Sequence, residues 1–173
     1  MTMGMKIVVI GDSHGNIANL KLVIGFAKKI KAGGIIHSGD WDNLKTVEEV
    51  LSSSIPVYAV LGNADIDELI AKNLKLKSKK FDGNFLKFEI DGRKIGVVHD
   101  FNHLVSNIEY LDILFCGHRH LKSERIINGV KIVSPGALHS SELSSHTPPF
   151  RSLCQTSFAV YDTGTNGVEF FDL

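Results

Sequence analysis

The stretch Ile7-Val8-Val9-Ile10-Gly11-Asp12-Ser13-His14-Gly15 decides the fold. Its four consecutive β-branched apolar residues are typical of a strand that is buried on both faces. A carboxylate and an imidazole follow directly after that strand, where ligands bind in α/β sheets. Taken alone, Asp12 and His14 allow two interpretations. In the first, the two residues bind a metal together. In the second, Asp12 caps the helix that begins near Ile17, and His14 is a surface histidine.

The composition indicates an ordinary globular protein. Its 173 residues are 43% hydrophobic and suffice for one domain with a substantial core, so we expect a single domain over residues 1–173. The formal net charge of zero argues against a nucleic-acid partner. The sequence has no apolar run of the length that crosses a membrane, and we expect no signal peptide. Two cysteines without CxxC spacing argue against a disulfide framework, which makes the cytoplasm the expected compartment. Assembly of the chain into a homo-oligomer is compatible with this composition.

Strand, polar turn and helix alternate through the first half of the chain. Helical patterns run from Ile17 to about Lys31 and from Leu44 to about Ser52. Short apolar strands are predicted at Ile35–His37 and Pro56–Val60, and each ends in a glycine-containing polar turn. This order is typical of parallel βαβ units.

Hairpin patterns dominate the second half. The predicted strands and hairpins there are Asn84–Ile90 with Lys94–Val98 around Asp91-Gly92, Ile113–Cys116, Arg125–Val133 around Asn128-Gly129, and Phe158–Phe171. A parallel first half and a hairpin-rich second half predict two stacked sheets flanked by helices. The lysine-rich stretch Lys72–Lys80 is interpreted as a charged edge strand. The Ser/Pro-rich stretch Leu138–Thr156 is interpreted as a long surface loop.

Polar side chains follow five of these apolar runs, and all are good metal ligands when they converge. They are Asp12, His14, Asp40, Asn63, His99, His118 and His120. Carboxylate, imidazole and amide ligands together suit manganese, iron or zinc. Seven ligands exceed the needs of one ion and match two, since one aspartate can bridge a pair. Two-metal sites of this kind clamp a transferring phosphoryl group.

The chain resembles the calcineurin-like metallophosphoesterases, in their small single-domain phosphodiesterase branch. The motifs that carry the resemblance, in order, are Asp12-Ser13-His14, Gly39-Asp40, Gly62-Asn63-Ala64-Asp65, His99 and Gly117-His118-Arg119-His120, with a near match at Ser134-Pro135-Gly136-Ala137. Any one of these motifs is weak evidence for the family, but five of them in order across nearly the whole chain are a specific signal. The resemblance implies an α/β fold in four layers, an α/β/β/α sandwich of two stacked mixed sheets flanked by helices.

The resemblance also implies a ligand set and a mechanism. One metal would be held by Asp12, His14, Asp40 and His120. The second would be held by Asp40, Asn63, His99 and His118, with Asp40 as the bridge. A hydroxide held between the ions would attack the phosphorus of a small phosphate ester in line, which gives Asp40, Asn63 and His99 catalytic roles. Manganese is the first expectation for both ions, with nickel, iron or zinc as alternatives.

Two positions depart from the family pattern. Ala64 stands where many members have a histidine that protonates the leaving group, which favours diesters with good leaving groups. Asp100 stands where the family usually has glycine after the lone histidine. Its carboxylate is expected either to orient a ligand imidazole or to cap the following turn with Asn102.

The remaining candidates have alternatives that the sequence leaves open. His37 is interpreted as a hydrogen-bonded core histidine rather than a ligand, and the loop residues His103, His139 and His146 as solvated. His103 and Arg119 are also candidate substrate contacts, although Arg119 equally suits a surface ion pair. Trp41 and Phe101 are core aromatics or pocket walls.

Three classes of function compete. A metal-dependent phosphodiesterase is the first, with a phosphomonoesterase as its variant. The second is a non-catalytic metal-binding or protein-docking module, like the retromer scaffold subunit of the same fold, which has lost key ligands. A structural or storage metal protein is the third. All ligand positions are filled here, which favours the enzyme.

Overall fold

The protein is described by a computed structural model that covers residues 4–104, 108–139 and 155–173. Two mixed β-sheets stack face to face, and three α-helices cover the outer face of the first sheet. Among the described residues, no helix combines the length and the apolar character that crossing a membrane requires.

The first sheet has six strands in the order β11-β10-β1-β2-β3-β4. Its strands are β1 (Lys6–Ile10), β2 (Gly34–His37), β3 (Val57–Ala59), β4 (Lys80–Phe81), β10 (Ser157–Asp162) and β11 (Gly167–Asp172). Strands β1 to β4 run parallel, and the β10–β11 hairpin is antiparallel to β1. The helices that connect the parallel strands are α1 (Ile17–Lys29), α2 (Leu44–Leu51) and α3 (Glu68–Lys77).

The second sheet has five strands in the order β5-β6-β7-β9-β8. These are β5 (Phe85–Ile90), β6 (Arg93–Val98), β7 (Ile113–Phe115), β8 (Lys122–Ile127) and β9 (Val130–Pro135). Strands β6, β7 and β9 are parallel, and the hairpins β5–β6 and β8–β9 add antiparallel edges.

Strand β1 explains why both faces of the first sheet are apolar. Val8 and Ile10 point into the core beneath the helices, whereas Ile7 and Val9 point into the core between the two sheets. All four side chains are completely buried, and each contributes about 1.5–3 kcal/mol of hydrophobic free energy. The apolar run that opens the chain therefore joins two cores.

Helix α1 shows how the helical layer is attached. Its buried residues Leu20, Val23, Ile24 and Ala27 follow the i, i+3, i+4, i+7 spacing of a single apolar face. The side chain of Asn16 caps the helix by accepting the N–H of Asn19.

The outer face of the second sheet carries a thinner layer. A short 3₁₀ helix, Phe101–His103, and the nearby residues Leu104, Ile108 and Leu111 pack there over Leu114. Within the described residues, this turn and its neighbours form the second outer layer.

One secondary-structure prediction is wrong. Lys72–Lys80 was expected to be a charged edge strand, yet most of it belongs to helix α3, and only Lys80 enters a strand. Ile70 and Leu74 are the buried residues of α3, four apart as in a helix. The alternation of lysine with leucine therefore reflects an exposed helical face, although β4 does form the edge of the sheet.

The predicted fold class is confirmed, with two stacked mixed sheets flanked by helices. The assignment of all 173 residues to one domain stays a prediction. Most of the predicted surface loop Leu138–Thr156, including His146, lies outside the described residues.

Candidate metal centre

The seven candidate ligands come together at one edge of the sandwich. Both sheets contribute, because the loops after β1, β2 and β3 meet those after β6 and β7. The carboxyl ends of parallel strands lie at the same edge of a sheet, which is where ligands bind in α/β folds. The site therefore depends on the stacking of the two sheets, which brings together residues as distant in the sequence as Asp12 and His118.

Four side chains form a first cluster. The donor atoms of Asp12, His14, Asp40 and His120 all lie within 4.8 Å of one another. His14 Nε2 is 3.3 Å from His120 Nε2 and 3.4 Å from Asp40 Oδ2. His120 Nε2 is 3.4 Å from Asp12 Oδ1. Two carboxylates and two imidazoles thus converge on one point and could hold a divalent ion.

A second cluster lies on the other side of Asp40. Asn63 Oδ1 is 3.0 Å from His99 Nε2 and 2.9 Å from His118 Nδ1. His99 Nε2 is also 3.4 Å from Asp40 Oδ2. The same oxygen of Asp40 therefore contacts His14 of the first cluster and His99 of the second. This is the position that a bridging carboxylate requires.

The charges of the site favour cations. Asp12 and Asp40 are almost completely buried, and buried charges need partners. Burial opposes ionisation of Asp40, but hydrogen bonds from His99 and from the N–H of Ala64 lower its pKa to about 2. The hydrogen bond with Asp12 raises the pKa of His120. Divalent ions fit this donor set, since they would replace the protons held on the imidazoles.

The ligand loops have an unusual backbone. Five of the seven candidate ligands adopt positive φ angles, namely Asp12 (47°), His14 (41°), Asp40 (60°), His118 (70°) and His120 (57°). A left-handed conformation costs about 1–2 kcal/mol per non-glycine residue, although aspartate and histidine tolerate it better than most. These turns aim the side chains back toward one centre, and such strain is typical of functional sites.

Two motif glycines allow the loops to approach the ligand carboxylates. A Cβ atom on Gly117 would lie 2.7 Å from Asp12 Oδ2, and one on Gly62 would overlap Asp40 Oδ1. Any side chain at either position would therefore displace a carboxylate. This close approach explains why glycine precedes Asn63 and His118.

The carboxylate of Asp65 fixes the backbone of two ligand loops. Its Oδ2 accepts the N–H groups of Asp40 (3.0 Å) and Gly62 (2.8 Å), and its Oδ1 accepts those of Trp41 (2.7 Å) and Asp42 (2.9 Å). Burial raises the pKa of Asp65, while these donors stabilise its charged form. Asp65 thereby ties the loop that carries Asp40 to the loop that carries Asn63.

His37 connects the first two ligand loops through a chain of hydrogen bonds. The N–H of Gly39 donates to Nδ1 (3.2 Å), so the neutral ring carries its proton on Nε2. Nε2 donates to Ser13 Oγ (3.0 Å), whose hydroxyl donates to the carbonyl of Asp40 (3.3 Å). His37 is thus a buried, hydrogen-bonded residue outside both ligand clusters.

We expect His37 to make the metal-free protein sensitive to acid. Burial lowers its pKa well below 6.5, so the unfolded chain binds one proton more than the folded chain as the pH falls. The stability that the neutral ring contributes is therefore present above about pH 6.5 and lost progressively below it. Urea unfolding from about pH 7 to about pH 5 should show a less steep loss of stability for His37→Gln than for the wild type. Equal slopes would contradict a buried neutral imidazole.

Trp41 and Phe101 are packing residues. The Trp41 ring is completely buried and stacks on His37 with 3.5 Å between ring centroids, while its Nε1 donates to the carbonyl of Val60. Phe101 packs against the second sheet, with the guanidinium of Arg125 5.1 Å above its ring.

The observed helix caps exclude the interpretation of Asp12 as a helix cap. Asn16 and Asn43 cap α1 and α2. Asp12 instead accepts the N–H of His118 at 3.1 Å, which joins the first ligand loop to the last. The carboxylate is therefore available to the first cluster.

Asp100 combines the two roles that the sequence left open. Its Oδ1 accepts the N–H of Asn102 (2.9 Å) and caps the 3₁₀ helix. Its Oδ2 lies 3.7 Å from His118 Nε2 and 3.4 Å from His103 Nδ1. One carboxylate therefore orients both a candidate ligand and an exposed histidine.

A cleft opens beside the second cluster. It has a volume of about 600 Å³, within the range of small-molecule sites. Its apolar walls include Leu61, Phe85 and Leu104, and Asn63, His99, Asp100, His103 and His118 supply polar groups. Arg119 is exposed on the turn between two candidate ligands, and the ring of His139 lies 5.7 Å from that of His14.

Comparison with known proteins decides the family. Residues 5–164 match the sequence model of the calcineurin-like phosphoesterase superfamily domain. The chain belongs to this superfamily. The resemblance carried by the five motifs is confirmed, and this phosphoesterase is a hydrolase of phosphoric esters.

The proteins that this phosphoesterase resembles include an enzyme and, in fold alone, a vacuolar sorting protein. Phosphodiesterase MJ0936 of Methanocaldococcus jannaschii is 25% identical over 138 residues, which cover 76% of this chain and 83% of the relative. A solved archaeal phosphodiesterase has a TM-score of 0.79 at 21% identity and covers 98% of this chain and 100% of its own. Vps29 of Chaetomium thermophilum has a TM-score of 0.64 at 19% identity, with 98% and 97% covered.

Two residues that support this phosphoesterase site are not evident from the sequence. The motif pattern gives Asp65 no role, and no pattern points to Ser13. Both act through hydrogen bonds to backbone groups of other loops. The one available signal was the position of Asp65 within Gly62-Asn63-Ala64-Asp65.

Proposed function

We propose that this chain is a metal-dependent phosphodiesterase with a binuclear centre. One observation carries the proposal, namely that a single oxygen of Asp40 contacts one imidazole from each of two donor clusters. The first ion would be held by Asp12, His14, Asp40 and His120. The second would be held by Asp40, Asn63, His99 and His118.

The chain's own residues would position the ions and the substrate. When bound, two divalent ions supply an activated water as nucleophile and positive charge for the phosphoryl oxygens. Asp40 would fix the spacing of the ions, and its own position is held by the N–H of Ala64. Arg119, exposed beside the site, would hold a substrate oxygen. We propose manganese for both ions, because the carboxylate and amide oxygens among the donors suit it.

The substrate preference follows from Ala64 and the cleft. Alanine cannot protonate a departing oxygen, so residue 64 gives no help to a poor leaving group. The cleft beside Asn63 and His118 offers space for an organic arm on phosphorus, and a diester carries two such arms whereas a monoester carries one. We therefore propose a small phosphodiester as the substrate. We also propose the cytoplasm as the place of action, because two cysteines without CxxC spacing argue against a disulfide framework.

The test of this function is hydrolysis by the purified chain. After loading with manganese, we expect turnover of bis(p-nitrophenyl) phosphate to exceed that of p-nitrophenyl phosphate, and removal of metal by a chelator to abolish both. Faster monoester turnover would favour a phosphomonoesterase instead. Metal binding without turnover of either ester would favour a docking module, a class suggested by the fold that the chain shares with Vps29.

A further inference from the structure

The cleft beside the second cluster contains an unassigned histidine. His103 lies on its wall together with Asn63, His99 and His118. Its side chain is 83% exposed, so it contributes little to packing. Ala64, next to Asn63, has no titratable side chain. A leaving group seated in the cleft would therefore meet His103 rather than residue 64.

The carboxylate of Asp100 orients this histidine. Asp100 Oδ2 lies 3.4 Å from His103 Nδ1, while the other oxygen is engaged by the N–H of Asn102. Asp100 is 9% exposed and sits at the start of the 3₁₀ helix that carries His103. With Nδ1 directed at the carboxylate, Nε2 is the ring nitrogen available to a ligand.

Asp100 also connects the histidine to the candidate metal centre. The same Oδ2 atom is 3.7 Å from His118 Nε2, and His118 Nδ1 faces Asn63. An ester whose phosphorus lies at the second cluster thus has His103 beside its arm in the cleft. No other described histidine outside the ligand set lies on this cleft.

We propose that His103, oriented by Asp100, is the proton donor to the leaving group. This inference rests on the proposed phosphodiesterase function. As the new oxygen bonds to phosphorus, the bond from phosphorus to the leaving oxygen breaks and its electron pair moves to that oxygen. His103 Nε2 transfers its proton to the same oxygen, which departs as an alcohol or phenol. The neutral imidazole then recovers a proton from the solvent through its exposed face.

A pair of matched substrates tests this role. Diphenyl phosphate and bis(p-nitrophenyl) phosphate are similar in size, but phenolate is the poorer leaving group and needs the proton more. We expect His103→Gln to lower kcat for diphenyl phosphate by about 10²-fold and to leave kcat for bis(p-nitrophenyl) phosphate nearly unchanged. Added imidazole should restore part of the lost rate. Glutamine keeps a hydrogen-bonding group but cannot transfer a proton.

Two controls separate proton transfer from structural effects. Asn102→Ala changes an exposed neighbour on the same turn and should leave both rates unchanged. Calorimetric titration with Mn²⁺ should give the same affinity for His103→Gln as for the wild type, since His103 is outside the proposed ligand set. A weakened Mn²⁺ affinity would assign His103 to support of the metal site and overturn the inference.

The outcomes distinguish this inference from the function on which it rests. A wild type that hydrolyses neither diester with any divalent metal overturns the proposed function and the inference together. If the wild type is active and His103→Gln lowers kcat by the same factor on both substrates, the inference alone is overturned. The same holds if the variant keeps the wild-type kcat on both. Selective loss on diphenyl phosphate supports both.

Discussion

Replacing Asp40 by asparagine is expected to lower diester hydrolysis by more than about 100-fold. Loss of a residue that merely orients a metal ligand typically costs 10–100-fold, and Asp40 would contact both ions directly. Asparagine keeps an oxygen for the N–H of Ala64, but it lacks the charge and the second oxygen that a bridge needs. Turnover of bis(p-nitrophenyl) phosphate by the manganese-loaded variant measures this effect.

Asp42 provides a matched control for this substitution. It is exposed two residues further along the same turn and also has a positive φ angle, which asparagine tolerates. Asp42→Asn should therefore keep both activity and stability. If Asp40→Asn hydrolysed the diester at the wild-type rate, the bridging role would be wrong. Circular dichroism would establish that both variants are folded.

Replacing Asp65 by alanine is expected to destabilise the protein by about 2–4 kcal/mol and to weaken metal binding. Its carboxylate accepts four backbone N–H groups from the loops that carry Asp40 and Asn63. Without it, those donors lose their partner, and the two loops lose the connection between them. Asp65→Asn should be nearly as damaging, because its NH₂ group would face N–H donors. Chemical unfolding and calorimetric metal titration measure the two effects.

Asp67 offers a nearby comparison for Asp65. It is exposed and caps α3 by accepting the N–H of Leu69, so its replacement by alanine should cost about 1 kcal/mol. Metal affinity should then be unchanged. Equal losses of stability and of metal affinity for Asp65→Ala and Asp67→Ala would contradict a specific role for Asp65 in fixing the loops.

The strands and the candidate ligands were predictable because local patterns determine both. Apolar runs such as Ile7–Ile10 mark buried strands, and polar turns at their ends show where the ligand loops begin. Parallel topology then brings those loops to one edge. The α3 helix was missed because alternating lysine and leucine also matches a strand, and only packing at Ile70 and Leu74 decides between them.

The supporting contacts were not predictable, because they join residues that are distant in the sequence. Asp65 holds the loop of Asp40, and Asp12 accepts a hydrogen bond from His118, 106 residues away. Neither contact leaves a periodic pattern in the sequence. Asp100 shows the same difficulty, since its two oxygens serve a local cap and two separate imidazoles.

Electron paramagnetic resonance of the manganese-loaded protein tests the central claim most directly. Two Mn²⁺ ions bridged by the Asp40 carboxylate are magnetically coupled. At saturation, the wild type should therefore show the broad spectrum of a coupled pair, which Asp40→Asn should lose. The spectrum of isolated Mn²⁺ ions in the saturated wild type would contradict a binuclear centre bridged by Asp40.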